Sequence, residues 1–332
     1  MAIATETTGA EGRAPTPAPI VVRNDRSEGD RIFRGVARGT GYFTLVLLFL
    51  IGLFLLLEGL PALRAMGWRF FTTSGFQTIG KVKHFGVAAS IYGTLVVSAV
   101  ALVVGTPVAI ATALFLTEYA PRKSRRSLIA LVDLAAAIPS VIYGLWAVFE
   151  LQPNVVGFSG FLSRHLSWIP IFQVSSSKVN ASLFIAGLVV GIMIVPIVAS
   201  ICREVFSLTP PGEKEGALAL GATRAAMIRR VILPFGRGGM IGAMMLGLGR
   251  ALGETIAVAI ILSESFFISP HILQPGGSTV AALIAVHFGS GGRLGLEALL
   301  MAGFVLFAMT LVINLIASEI VSRSRSGAGV DL

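Results

Sequence analysis

Charge is scarce in this sequence. Only 13% of its 332 residues are Asp, Glu, Lys or Arg, about half the share of an ordinary soluble domain. That shortage excludes a solvated globular surface. Cysteine is almost missing: Cys202 stands alone, which excludes an intrachain disulfide. The four histidines lie far apart, none beside Cys202 or an acid at ligand spacing, so no metal site is expected. No Gly-xxxx-Gly-Lys-Ser/Thr run occurs, so the chain is not expected to bind or hydrolyse ATP itself. No nucleophile, base and orienting acid cluster together, which counts against a membrane-bound enzyme.

Apolar residues are abundant instead. They make up 55% of the sequence, the mean hydropathy is +0.84, and apolar runs recur along almost the whole length. At about 20 residues per crossing, the length allows roughly six membrane spans. The net charge of +9 is read as basic residues fixing orientation in a bilayer, not as a nucleic-acid surface.

Residues 1–38 are polar, with six arginines and five acids, and are expected to form a disordered cytoplasmic tail without the apolar core of a signal peptide. A membrane domain is expected over 39–322 and a short basic tail over 323–332. Spans are expected at 42–60, 87–116, 128–151, 183–202, 240–262 and 298–317. Pro107, Pro139 and Pro196 each fall within one and should kink it. The connections 62–85, 152–180 and 263–297 read as loops, the last with a short helix at 279–288. With the N-terminus inside, 18 Lys and Arg lie on the cytoplasmic side, 7 on the other, and Arg250 within a span. The bias places both termini in the cytoplasm.

Two features are expensive for a membrane protein. One is a polar, helix-forming segment at 209–234, read as a docking surface for a soluble partner. Thr209 can cap its first helix, Gly221 can end it, and Thr223 can cap a second. The other is a pair of charges at depth, Arg250 and Glu254. Four residues apart, they would share one helix face. They can neutralise each other as a structural pair, or they can line a solute path. Asp133 can serve the same path or interact with a helix N-terminus. Ser140 can offer a hydroxyl to it or merely accompany the Pro139 kink. Thr255 can donate to a solute or bond back to its own helix. The run 242–247, with glycine at each end, reads as small-residue packing against a second subunit.

The docking segment also carries a specific pattern. Glu215-Gly216-Ala217, three residues, Gly221, nine residues, then Val231-Ile232-Leu233-Pro234 resembles the coupling loop of ABC importer permeases. Gly216 and Val231 depart from it conservatively. Gly247 to Val258, GLGRALGETIAV, and the stretch from Asp133 to Leu145 resemble the membrane subunits of the phosphate-specific importer, of the PstC type more than its PstA sister. The resemblance covers residues 40–322. It implies an all-α polytopic fold of six transmembrane helices, the type I importer permease fold. It implies that Glu215, Gly216, Ala217, Gly221, Leu233 and Pro234 meet an ATP-binding subunit. It also implies that Arg250, whose guanidinium suits phosphate oxygens, stands in an anion pathway with Glu254, Thr255, Asp133 and Ser140. No cofactor would bind this chain; ATP and Mg would sit on partners. The implied partners are a PstA-like sister permease, two PstB-like ATP-binding subunits, a PstS-like extracytoplasmic phosphate-binding protein, inorganic phosphate and the lipid bilayer of a bacterial cell membrane. The alternatives are a permease for molybdate or sulfate, or a channel or secondary transporter, which would have no need of the coupling-loop spacing.

Overall fold

A computed structural model describes residues 28–77, 84–165, 168–169, 181–289 and 292–324. The described residues are overwhelmingly helical. Among the described residues, five helical stretches are long and apolar enough to cross a membrane, and a sharply bent pair makes a sixth crossing if counted as one. The chain divides into two units, Met1–Leu50 and Ile51–Leu332. The described part of the first is the N-terminal half of α1 (Glu28–Met66), whose Phe43, Leu45 and Phe49 are exposed, as suits a face turned to lipid. This helix starts within the stretch expected to be a tail, of which residues 1–27 lie outside the described residues.

The second unit is built on α7 (Leu183–Ser207), the most buried of the spans. Helix α3 (Ala88–Leu114) packs along one side of it and α10 (Leu233–Leu252) along another. Lipid tails offer no hydrophobic drive between helices, so contact depends on close backbone approach at small residues. At Gly105 of α3, an added Cβ would lie 2.6 Å from the carbonyl oxygen of Gly191 on α7. At Gly247 of α10, it would lie 2.8 Å from a Val198 methyl. Gly247 therefore packs inside this chain and not against a second one, whereas nothing lies within 4 Å of the corresponding point at Gly242.

A second apolar cluster joins the end of α1 to α2 (Arg69–Thr72), the antiparallel hairpin β1 (Ser74–Gln77) and β2 (His84–Val87), α12 (Val280–His287) and α13 (Gly292–Ser324). The hairpin lies in the connection 62–85 expected as plain loop. Its residues 78–83 are outside the described set. The short helix expected at 279–288 is present as α12. Thr279 caps it by accepting from the Ala282 amide at 3.3 Å, and the Thr94 hydroxyl of α3 accepts from the Val280 amide at 3.0 Å. It is a core element rather than a surface one: Val280 and Leu283 are fully buried.

Two of the expected spans are broken. Residues 128–151 are not one crossing. They are divided among α4 (Arg125–Ala136), α5 (Ser140–Trp146) and a π-helical turn, Ala147–Leu151, that runs on into α6 (Gln152–His165). The two arms meet at an 89° bend. The cause is Pro139, which has no N–H to donate and sits in extended geometry as the N-cap of α5. The expected crossing at 240–262 is also displaced. One continuous helix runs from Arg224 through Leu252. The chain then leaves helical geometry at residues 253–255 and resumes as α11 (Ile256–Ile261). The two short helices beyond the breaks, α5 and α11, lie against each other, with the Cβ position of Gly144 3.0 Å from Ala257 Cα.

Candidate functional site: a docking segment joined to a half-buried arginine

The docking segment forms α8 (Pro211–Ala219) and α9 (Arg224–Met227). Gly221 separates them in left-handed geometry, φ +83°, which a glycine adopts without strain. Thr223 caps α9 by accepting from the Ala226 amide at 3.2 Å. Thr209 does not cap α8. Pro210 occupies the N-cap position, and the Thr209 hydroxyl is buried without a hydrogen-bond partner. A proline needs no partner for an N–H it lacks, so the tandem Pro210-Pro211 starts this helix without a side-chain cap.

The residues of the coupling pattern divide by orientation. Glu215, Gly216, Gly221 and Pro234 are exposed. Ala217 and Leu233 turn inward against the main core. Leu220, at 91% exposure, stands out fully into solvent at the tip of α8. An apolar side chain held there, beside exposed small residues, suits a contact with another protein.

From α9 the helix runs on through a π turn, Ile228–Ile232, into α10. Arg250 lies in the last turn of α10, and from Arg224 to Arg250 the rise is about 39 Å at 1.5 Å per residue. Arg250 lines an open cavity of about 590 Å³ with Ile197, Gly242, Met245, Leu246, Gly249 and Asn314. Apart from Asn314 the rest of the lining is apolar, and among the described residues the Nε of Arg250 is buried with no hydrogen-bond partner. A guanidinium nitrogen left unpaired in an apolar groove is a costly arrangement unless something polar enters it.

The expected Arg250–Glu254 pair is not formed. No ion pair joins them among the described residues, because the helix ends at Leu252 and the spacing of four no longer places them on one face. Glu254 is 8% exposed, and its carboxylate accepts from the Ala257 amide at 3.3 Å. It therefore satisfies a free donor at the start of α11, just as the Gln152 side-chain amide donates at 3.1 Å to the Ile261 carbonyl at its end. Thr255 does bond back to the backbone, donating to Gly253 O at 3.0 Å within the break. If Glu254 acts as a cap, Glu254→Gln keeps the acceptor oxygen and should melt near the parent temperature in detergent. Glu254→Ala should lose about 1–2 kcal/mol. Equal destabilisation by both would mean that the charge, not the cap, matters.

Asp133 belongs to a different group. It lies near the end of α4 and not at a helix start, so the expected N-terminal interaction does not occur. Its carboxylate accepts from the Ser200 hydroxyl at 2.8 Å and lies 3.9 Å from Arg203 Nη1, both on α7. Ser140 is the first residue of α5, at the Pro139 bend and half-buried. The structure thus brings Asp133 to α7 and Ser140 to the bend, and neither lines the Arg250 cavity. Asn314 does line it. The sequence held a signal for this residue, a lone amide side chain inside the apolar run 298–317.

Comparison with known proteins adds to this geometry. A "Phosphate transport system permease protein PstC 2" of Mycobacterium tuberculosis is 41% identical over 320 residues, 94% of this chain and 99% of that protein. A "Phosphate transport system permease protein PstC" of Mycobacterium leprae is 42% identical over 310 residues, 92% and 97% of the two. Among solved structures, a bacterial alginate ABC transporter in complex with alginate pentasaccharide-bound periplasmic protein contains a chain that superposes with a TM-score of 0.58. The overlap covers 88% of this chain and 96% of that one at 22% identity, so this likeness speaks for the fold alone. The family described as binding-protein-dependent transport system inner membrane component matches residues 105–326, a stretch that includes the docking segment, the continuous helix and Arg250, and the chain belongs to that family.

Proposed function

We propose that this chain is one of two membrane-spanning subunits of an ATP-driven phosphate importer in a bacterial cell membrane. The choice of phosphate is supported by relatives of that name, alike over nearly their whole length. The anion pathway rests on one observation: the unpaired, buried Nε of Arg250 in a cavity that is apolar but for Asn314. Guanidinium N–H groups match phosphate oxygens in geometry and charge. In this reading the Arg250 side chain binds the anion in passage, because Glu254 spends its carboxylate on the Ala257 amide and not on the guanidinium. Asn314 lines the same cavity. Glu254, Thr255 and Ser140 shape the two helix breaks beside the path, and Asp133 holds α4 to α7.

Two ATP-binding subunits dock on 209–234 through Glu215, Gly216, Gly221, Pro234 and the exposed Leu220, while Ala217 and Leu233 seat that segment on its own core. An extracytoplasmic binding protein delivers phosphate on the other side, and a sister permease completes the path. The Lys and Arg bias supports cytoplasmic termini. The test is reconstitution of the four-component complex in liposomes, then ATP-dependent uptake of labelled phosphate, sulfate and molybdate. Phosphate alone should accumulate. Preference for another oxyanion, or uptake without the ATP-binding subunits, would remove this reading.

A further inference from the structure

The docking segment has a second attachment to the spans, separate from the continuous α9–α10 helix. Lys214, on α8, forms an ion pair with Glu118 at 2.7 Å. Their side chains are only 21% and 14% exposed, so the pair is screened less than a surface one. Glu118 lies 96 residues earlier, in a π-helical turn, Phe115–Tyr119, at the end of α3. A π turn takes in one extra residue and rotates the chain beyond it by about 100° relative to an unbroken α-helix. Glu118 is the fourth residue of this turn. The turn is held by Thr117, whose hydroxyl donates to Ala113 O at 3.0 Å and to Leu114 O at 3.2 Å.

Helix α8 buries none of its residues fully. Apart from the half-buried Ala217, it has little apolar anchorage, and the ion pair is its firm link to a span other than its own. We propose that Lys214 and Glu118 form the joint through which movement of α8 is passed to α3, so that α3 and α10 shift together on either side of α7. This rests on the reading of the chain as an ATP-driven permease. Docked subunits that displace α8 move Arg250 through the rigid α9–α10 helix. The ion pair makes α3 move with it. Without the pair, α10 moves alone against α7, and ATP is hydrolysed while the anion path does not complete its change of shape. Lys214 and Glu118 are positioning residues: neither touches the anion.

The experiment is the ratio of phosphate delivered to ATP hydrolysed by the complete reconstituted complex. Glu118→Gln and Lys214→Met should each lower that ratio by at least about fivefold, the lower end of typical coupling between sites. Lys214→Arg should keep it near the parent value, and the exchanged pair Glu118→Lys with Lys214→Glu should recover most of it. If Lys214→Met complexes do not assemble, the isosteric Glu118→Gln decides alone. An unchanged ratio in the single variants overturns the proposal. So does an exchanged pair as uncoupled as the singles, since the loss would then belong to two separate sites. A parent complex that delivers no phosphate would instead fail at the level of the proposed function, before any variant is compared.

Discussion

Replacing Arg250 by glutamine is expected to reduce phosphate uptake by about a hundredfold or more, with the complex still assembled. The magnitude comes from the loss of charge-assisted hydrogen bonds in a largely apolar cavity, about 3 kcal/mol between the anion and a neutral amide. Assembly should survive because Arg250 has no acid to abandon: its Nε bonds to nothing, and among the described residues no carboxylate pairs with it. Most buried arginines would leave an orphaned acid behind on mutation, and that penalty is missing here. Arg250→Lys should fall between the two, since an ammonium keeps the charge but not the planar fork. The measurement is initial uptake rate against phosphate concentration in proteoliposomes, with assembly checked by size-exclusion chromatography. Parent-like uptake by the glutamine variant would dismiss Arg250 from the path.

A second large effect is expected at Gly105. A leucine there would drive its Cβ to 2.6 Å from the Gly191 carbonyl oxygen and 3.0 Å from Ile194 Cγ1. The first obstacle is backbone and cannot rotate away. Helices α3 and α7 must separate, and their contact along most of their length is lost with them. Overpacking of a core costs about 1–3 kcal/mol where side chains can adjust, and a backbone collision belongs at or above the top of that range. We expect little monodisperse protein after detergent extraction. Gly238→Ala offers the contrast. Nothing lies within 4 Å of its Cβ position, and removing a glycine from a helix interior should leave the yield intact or raise stability by up to about 1 kcal/mol. Normal recovery of Gly105→Leu would show that the α3–α7 contact is looser than its glycines imply.

The parts of the site that were legible in the sequence are those set by local geometry. The spacing from Glu215 to Pro234 and the caps at Gly221 and Thr223 each depend on a few neighbouring residues, and they appear where expected. The long crossings were legible because bilayer thickness fixes their length. What failed was the assumption that an apolar run is one helix. Pro139 was expected to kink a span, but a proline alone does not reveal how far the chain turns, which is 89° here. Gly253 and Thr255 are weak helix formers, yet an apolar context on both sides hid the break, and with it the separation of Glu254 from Arg250. Lys214 and Glu118 carried no signal at all, since two charges 96 residues apart become a pair only when α3 and α8 are placed.

The unbroken helix from Arg224 to Leu252 imposes a constraint on length. Each residue along it adds about 1.5 Å and turns the next by about 100°. One residue inserted anywhere between α9 and Arg250 would carry the guanidinium to a different side of the helix while leaving the docking surface untouched. Seven residues, close to two full turns, would restore the direction but lift it by roughly 10 Å. The distance between the docking surface and the arginine is therefore a matter of phase as well as reach. A substitution at an open position such as Gly238 leaves phase and reach as they are, whereas an insertion or deletion changes both.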